Sequence, residues 1–305
     1  GSDRVRFLHN MVTNDVKGLT PGRGVYATIL DLRGHILADL HIYCDEDRFL
    51  LETHADLIEK ILATLGRYNI GGRVPLAHLS LAALSLQGPA AEPILRGLLH
   101  AELPGPEEFR HVTLNYAGED LRVIRAGLTG EEGFELWTPA SAAQTLRENL
   151  LAAGSSNGLI PCGWAALETL RIEAGIAAYG AELAEDTLPL EANLLNALSF
   201  TKGCYIGQEI VERARSRGHV NWKLAGLFVD SPQPPAAGEK LLREGKPLGE
   251  ITSACVSPTL SRTIAMAYLR REVSEPGNML ELASGGKAEV TALPFYQRGL
   301  KNLAR

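Results

Sequence analysis

Short alternating runs and amphipathic stripes follow one another along the chain, with glycine or proline at most of the joins. Val5, Leu8, Met11 and Val12 fall at helical spacing and predict a first helix, which "TPGRG" (20–24) ends. "VYATIL" and "HILADLHIY" read as strands joined by "DLRG". A two-residue loop at Arg33–Gly34 would set Leu32 opposite His35, Thr28 opposite Asp39 and Tyr26 opposite His41. In the second strand Ile36, Ala38, Leu40 and Ile42 point one way, and His35, Leu37, Asp39, His41 and Tyr43 the other. Tyr26, Thr28, Asp39, His41 and Tyr43 then share one polar, aromatic face. Spacing alone favours an outer, solvated surface, although two tyrosines flanking a carboxylate are unusual there.

"RFLLET" reads as a third strand, and "HADLIEKILATLGRY" as a helix with Leu57, Ile58, Ile61, Leu62 and Leu65 on its inner stripe. The order then repeats loosely: strand "LSLAALSLQG", helix "AAEPILRGLL", strands "HVTLNY", "LRVIRAG" and "GFELWTP", helix "SAAQTLRENLLAAG". Tight turns such as "AGED" predict largely antiparallel sheets with helices on one face, an α+β pattern. "GWAALETLRIEAG" is helical again, and beyond about Asn221 the chain turns β-like and rich in Gly and Pro, which predicts a small barrel.

Composition narrows the chemistry. With 305 residues, 30 basic against 36 acidic, the chain is mildly acidic, which argues against wholesale binding to nucleic acid or anionic membrane. It has no apolar run long enough for a transmembrane helix. Its four cysteines, Cys44, Cys162, Cys204 and Cys255, form no C-x-x-C pair, so a reducing, cytoplasmic setting is expected and no metal site is.

Three stretches could carry chemistry. In "KGCYIGQE" (202–209) a helix is expected to begin near Gly207, leaving Cys204 just ahead of its N-terminus with Lys202 nearby. Either the helix end and Lys202 activate the thiol, or Cys204 is an inert residue in a glycine-bounded turn. "ERARSRGHVNWK" carries Arg213, Arg215, Arg217 and Lys223, either a solvated basic face or a dock for a small polyanion. In "AGLTGEEGFELW" Glu135 alternates with Phe134 and Leu136, and an ionised carboxylate there could accept paired N–H bonds from a flat heterocycle.

In their order, "LRGHILADL", "LSLQGPAA", "GLTGEEGFELW", "LETLRIEAGIAAYG" and "LPLEANL" resemble the folate-binding fold of the glycine-cleavage T-protein family. "KGCYIGQE" resembles the signature of its YgfZ branch, folate-binding proteins connected with iron–sulfur cluster assembly or repair. The similarity spans nearly the whole chain. It implies an α+β fold in which two α+β domains with mainly antiparallel sheets and a C-terminal β-barrel surround a central folate channel. The expected divisions are 1–78 with 157–215, 79–156 and 221–305.

The resemblance also implies that the cofactor is tetrahydrofolate or a one-carbon derivative. Asp39 matches the catalytic aspartate near the reacting nitrogen, Tyr26 and Tyr43 match folate-lining tyrosines, and Glu135 matches the glutamate that holds the pterin. From local chemistry, and not from the resemblance, Cys204 with Lys202 would be the redox or transfer thiol, and the run from Arg213 to Lys223 would receive the glutamate tail. Iron–sulfur client or assembly proteins would be the partners. Two positions depart: Leu128 stands where T-protein has tyrosine, and Leu167 where it has arginine. Both departures favour an iron–sulfur role over aminomethyl transfer, which is the alternative.

Overall fold

The opening helical stripe forms α1 (Arg4–Met11), which buries Leu8 and Met11. β1 (Gly24–Leu30) and β2 (Ile36–Cys44) make the expected hairpin, but its loop differs from the expectation. Asp31, and not Leu32, lies opposite His35: the Asp31 N–H donates to His35 O at 2.9 Å and the Gly34 N–H to Asp31 O at 3.0 Å. The Asp31 carboxylate captures the N–H groups of Arg33 (2.8 Å) and His35 (2.9 Å), and Gly34 takes a left-handed φ of 80°. An aspartate turn of this kind lengthens the loop by one residue over the two-residue reading. β3 (Phe49–Glu52) pairs with β2 and sets His41 opposite Glu52 and Tyr43 opposite Leu50. A single 3-10 turn then leads into α2 (Ile58–Tyr68), with Leu57, Ile61 and Leu65 buried.

β4 (Leu81–Gln87), α3 (Ala91–Leu99), β5 (His111–Tyr116), β6 (Glu119–Arg125), β7 (Gly133–Pro139) and α4 (Ala140–Gly154) follow in the order the periodicity gives. The sheet runs β4-β7-β6-β5, antiparallel throughout. Ile94, Leu95, Val123, Phe134, Leu136, Leu146 and Leu150 form the core between its helices and one face. Its other face sets Ile124, Ala126 and Trp137 against Tyr43 of β2. The alternation in "GFELW" therefore has a consequence. With Phe134 and Leu136 turned to the helices, Glu135 must be buried against the first sheet.

Residues 1–216 and 220–296 are described in this computed structural model, and they form two compact units. The first holds Gly1–Ala27, Ala38–Gly163 and Ser199–Tyr205; the second holds Thr28–Leu37, Trp164–Leu198 and the chain from Ile206 onward. In the second, α5 (Trp164–Glu173) and α6 (Gln208–Ser216) accompany β8 (Trp222–Val229), β9 (Lys240–Arg243), β10 (Lys246–Ser257), β11 (Arg262–Arg270), β12 (Met279–Leu282) and β13 (Lys287–Thr291). These six strands close into a barrel in the order β10-β11-β8-β13-β12-β9, packed with Leu227, Leu241, Ile251, Leu269 and Val290.

Arg171 of α5 is buried against Glu182, Nη1 to Oε2 at 2.9 Å, and also binds Ser253 Oγ at 2.8 Å and Glu168. Glu182 further accepts from Thr252 Oγ1 (2.7 Å), Ser253 Oγ (2.6 Å) and the Ala178 N–H (3.1 Å). Among the described residues no helix is long and apolar enough to cross a membrane.

Candidate functional site

The polar face read from the hairpin is real, and it divides into two linked groups within the first unit. In the first group the Tyr26 hydroxyl donates to Asp39 Oδ2 at 2.9 Å, and Thr53 Oγ1 donates to the Asp39 carbonyl at 2.9 Å. Asp39 is half-buried, and burial holds its carboxyl above the usual carboxylate range although the Tyr26 bond and the nearby His41 pull it back. Burial first, and then the Asp39 charge, raise the Tyr26 phenol well above its ordinary value, so it stays a donor.

The second group is built on acids. Glu52 Oε2 accepts from the Tyr43 hydroxyl at 2.8 Å and lies 3.2 Å from His41 Nδ1. Glu135 is the neighbouring acid on β7, and its Oε2 accepts from Trp137 Nε1 at 3.2 Å. Glu135 is only 7% exposed; burial, followed by the neighbouring Glu52, pushes it up to about 9. Glu52 moves the other way: burial opposes its charge, but bonds from His41, Glu135 and Tyr43 outweigh that and lower it. Neighbouring carboxyls disfavour each other's ionisation, which adds to the effect of burial on Glu135.

This alters two expectations. Burial and the neighbouring Glu52 favour the neutral form of Glu135, where the sequence reading made it an ionised acceptor. Tyr43 is fully buried and supports Glu52 from within, with its ring edge-on to Trp137 at 5.1 Å, so it does not line a surface.

His41 joins the groups, its ring 5.0 Å from Tyr26 and 4.7 Å from Phe109. Phe109 has a left-handed φ of 62°, a strained conformation for a bulky residue, beside the site. Arg122 forms a paired bond to Asp45, both contacts at 2.9 Å, and meets His111 at 3.0 Å. Gln87 holds the glycine-rich loop through its Oε1, which takes the Leu128 N–H at 3.0 Å. Glu52, Thr53, Phe109 and Gln87 were not singled out from sequence. Glu52 had a usable signal: counting back from the "DEDR" turn places it opposite His41.

A pH dependence follows. Because the Glu135 pKa is raised from 4.5 to about 9, its stabilising contribution is full below the unfolded value and is lost as pH rises toward 9. Glu135→Gln abolishes that loss. Its melting temperature relative to wild type should rise steadily from pH 5 to pH 9, and parallel melting curves would contradict the assignment.

Lys202 does something other than activate a thiol. Its ammonium donates to the carbonyls of His9, Val12 and Asn14, the last at 3.0 Å, and burial lowers it to about 8. It ties the "KGCY" segment to the end of α1. Cys204 is exposed, and α6 begins four residues later at Gln208. Gly207 has a structural reason of its own: φ is 82°, and a Cβ there would stand 2.7 Å from Asp31 O. Replacing Lys202 with Met should cost about 2–4 kcal/mol, since buried carbonyls lose their donor. Alkylation of Cys204 by iodoacetamide, read in a Cys162→Ser background, should stay within about threefold; a tenfold slowing without destabilisation would restore an activating role.

Lys223 belongs to the second unit, with Nζ 3.5 Å from Glu275 Oε1. Arg213 is exposed and Arg215 lies 3.6 Å from Glu212, while Arg217 falls outside the described residues.

A mainly antiparallel α+β unit, a closed six-stranded barrel and an acid-lined hairpin face together define a known class. The GCVT N-terminal domain matches residues 1–202, and the glycine cleavage T-protein C-terminal barrel domain matches residues 223–297. The chain belongs to the glycine-cleavage T-protein family. It is 36% identical to an aminomethyltransferase of Halalkalibacterium halodurans, over 98% of this chain and 83% of that protein. It is 34% identical to an aminomethyltransferase of Bacillus subtilis, over 98% of this chain and 84% of that one. The crystal structure of glycine cleavage system aminomethyltransferase T from Bartonella henselae superposes with a TM-score of 0.87 at 30% identity, covering 97% of this chain and 82% of that chain.

Proposed function

We propose that this protein is a tetrahydrofolate-dependent aminomethyltransferase. The observation that carries the reading is Asp39, a half-buried carboxyl held above its usual range and fixed through Oδ2 by Tyr26. Whole-length similarity to proteins named aminomethyltransferase supports it. The site also offers the ligand a carboxyl for the paired N–H groups of its ring edge: Glu135, buried beside Trp137. Bound tetrahydrofolate supplies the amine nitrogen that captures the one-carbon unit. Asp39 holds or takes up a proton at that end, Tyr26 fixes its orientation, and the aromatic wall of His41 and Phe109 limits water.

The iron–sulfur reading of "KGCYIGQE" becomes secondary. What favours it is that Cys204 is exposed and not packed away, and it extends to iron–sulfur client proteins as partners. The whole-length relatives named above carry a different activity, and Lys202 and Gly207 have structural duties that account for much of the motif.

One complementation experiment separates the readings. The chain should restore growth on glycine as one-carbon source in cells lacking their aminomethyltransferase. Restoration of only a [4Fe–4S] enzyme's activity, in cells lacking an iron–sulfur folate protein and lost with Cys204→Ala, would reverse the order.

A further inference from the structure

The sheet that carries Glu135 sets a second polar side chain beside it. We propose that Ser85 is a specificity-determining residue, a hydrogen-bond donor that reads a ring carbonyl next to the paired N–H groups taken by Glu135. The site then selects a heterocycle whose edge presents a carbonyl, a ring N–H and an amino group in that order, as the pterin of tetrahydrofolate does. This deepens the tetrahydrofolate reading and rests on it.

Register places the two residues together. Ser85 of β4 lies directly opposite Glu135 of β7. Residues facing each other across an antiparallel pair share one face of the sheet, with Cβ atoms about 4.5–5.5 Å apart. Leu84, Leu86, Phe134 and Leu136 take the other face, against the helices. On the Glu135 face, burial rises from the edge strand inward. Ala83 and Ser85 on the edge strand β4 are exposed, whereas Glu135 and Trp137 on β7 are 7% and 8% exposed. The open side of the carboxyl is therefore the side that Ser85 borders.

Gln87 sets the direction of the Ser85 hydroxyl. Its amide has one orientation, because both ends meet backbone groups: Oε1 takes the Leu128 N–H at 3.0 Å, and Nε2 donates to the Ala126 carbonyl at 3.0 Å. Gly133, opposite Gln87 in the register, has no Cβ to displace that amide. Nε2 also donates to Ser85 Oγ at 2.9 Å. Ser85 Oγ is thus the acceptor toward Gln87, and its own hydrogen has no acceptor among the described residues. A hydroxyl carries one O–H donor besides its lone pairs, so that hydrogen is available to a ligand.

A carboxyl that takes N–H groups, with a hydroxyl beside it that gives an O–H, matches an edge that reads acceptor, donor, donor. Glu135 alone would take any pair of adjacent N–H groups, those of an amidine included. Ser85 adds the demand for a carbonyl next to them. Calorimetry and isotope-edited infrared spectroscopy test this on the full-length protein, with tetrahydrofolate labelled at its ring carbonyl. Ser85→Ala should raise the dissociation constant about three- to tenfold, the worth of one neutral hydrogen bond. The band of the bound ring carbonyl should also move to higher frequency than in the wild-type complex, because that oxygen has lost a donor.

Ser85 is exposed and bonded to Gln87, so its truncation leaves the packed core untouched. An affinity within about twofold of wild type, or a carbonyl band that does not move, overturns the proposal and leaves the tetrahydrofolate reading standing. A wild-type protein that binds no tetrahydrofolate overturns both.

Discussion

Asp39→Asn lowers kcat/KM for aminomethyl transfer by about 10²- to 10⁴-fold, the range expected when a positioned acid–base group is lost. Tetrahydrofolate affinity should change by less than about threefold, because asparagine keeps the shape and can still accept from Tyr26. Tyr26→Phe provides the companion test. The Tyr26 hydrogen bond opposes the burial that raises the Asp39 carboxyl, so removing it moves that carboxyl further up. The acid limb of the pH–rate profile should shift to higher pH in Tyr26→Phe while the plateau rate falls much less than in Asp39→Asn. A plateau loss equal to that of Asp39→Asn, with an unmoved limb, would mean that Tyr26 touches the substrate directly.

Arg171→Leu has the largest effect on folding. It leaves the Glu182 carboxylate, 0% exposed, without its cation, and breaking one side of a buried pair costs about 3–5 kcal/mol. Ser253 loses its Arg171 contact in the same stroke. Urea unfolding followed by tryptophan fluorescence, to which Trp222 on the barrel's first strand contributes, reads the loss. Removing Glu182 as well should recover little, because Thr252, Ser253 and the Ala178 N–H would then lose their acceptor. A loss under about 1 kcal/mol would show that the network is replaceable by water.

The residues that sequence could place are those whose side-chain direction follows from a period. Asp39 and His41 share a face because a strand alternates, and Phe134 and Leu136 turn one way so that Glu135 turns the other. The barrel was legible from its short strands and glycine-rich turns.

Glu52 was not. "FLLE" is mostly apolar, and only the register across the "DEDR" turn reveals that its last residue meets His41. Glu135 was found, but the upward shift of its carboxyl was not, since that depends first on its burial between two sheets and then on Glu52. Lys202 misled for a related reason. Two residues from Cys204 in sequence, it spends its three donors on carbonyls of His9, Val12 and Asn14, nearly two hundred positions away. The loop of the first hairpin was off by one because Asp31 caps its own turn.

At the level of function, the ordered motifs led to the right family. The finer branch rested on one short stretch, "KGCYIGQE", whose Lys202 and Gly207 turn out to carry the fold.

The most direct measurement incubates the purified protein with tetrahydrofolate and an aminomethylated dihydrolipoyl carrier, and follows methylene-tetrahydrofolate and ammonia together. Equal amounts of both products, formed by the wild type and nearly abolished in Asp39→Asn, are what a folate-dependent aminomethyltransferase gives. Tight tetrahydrofolate binding with neither product would contradict it.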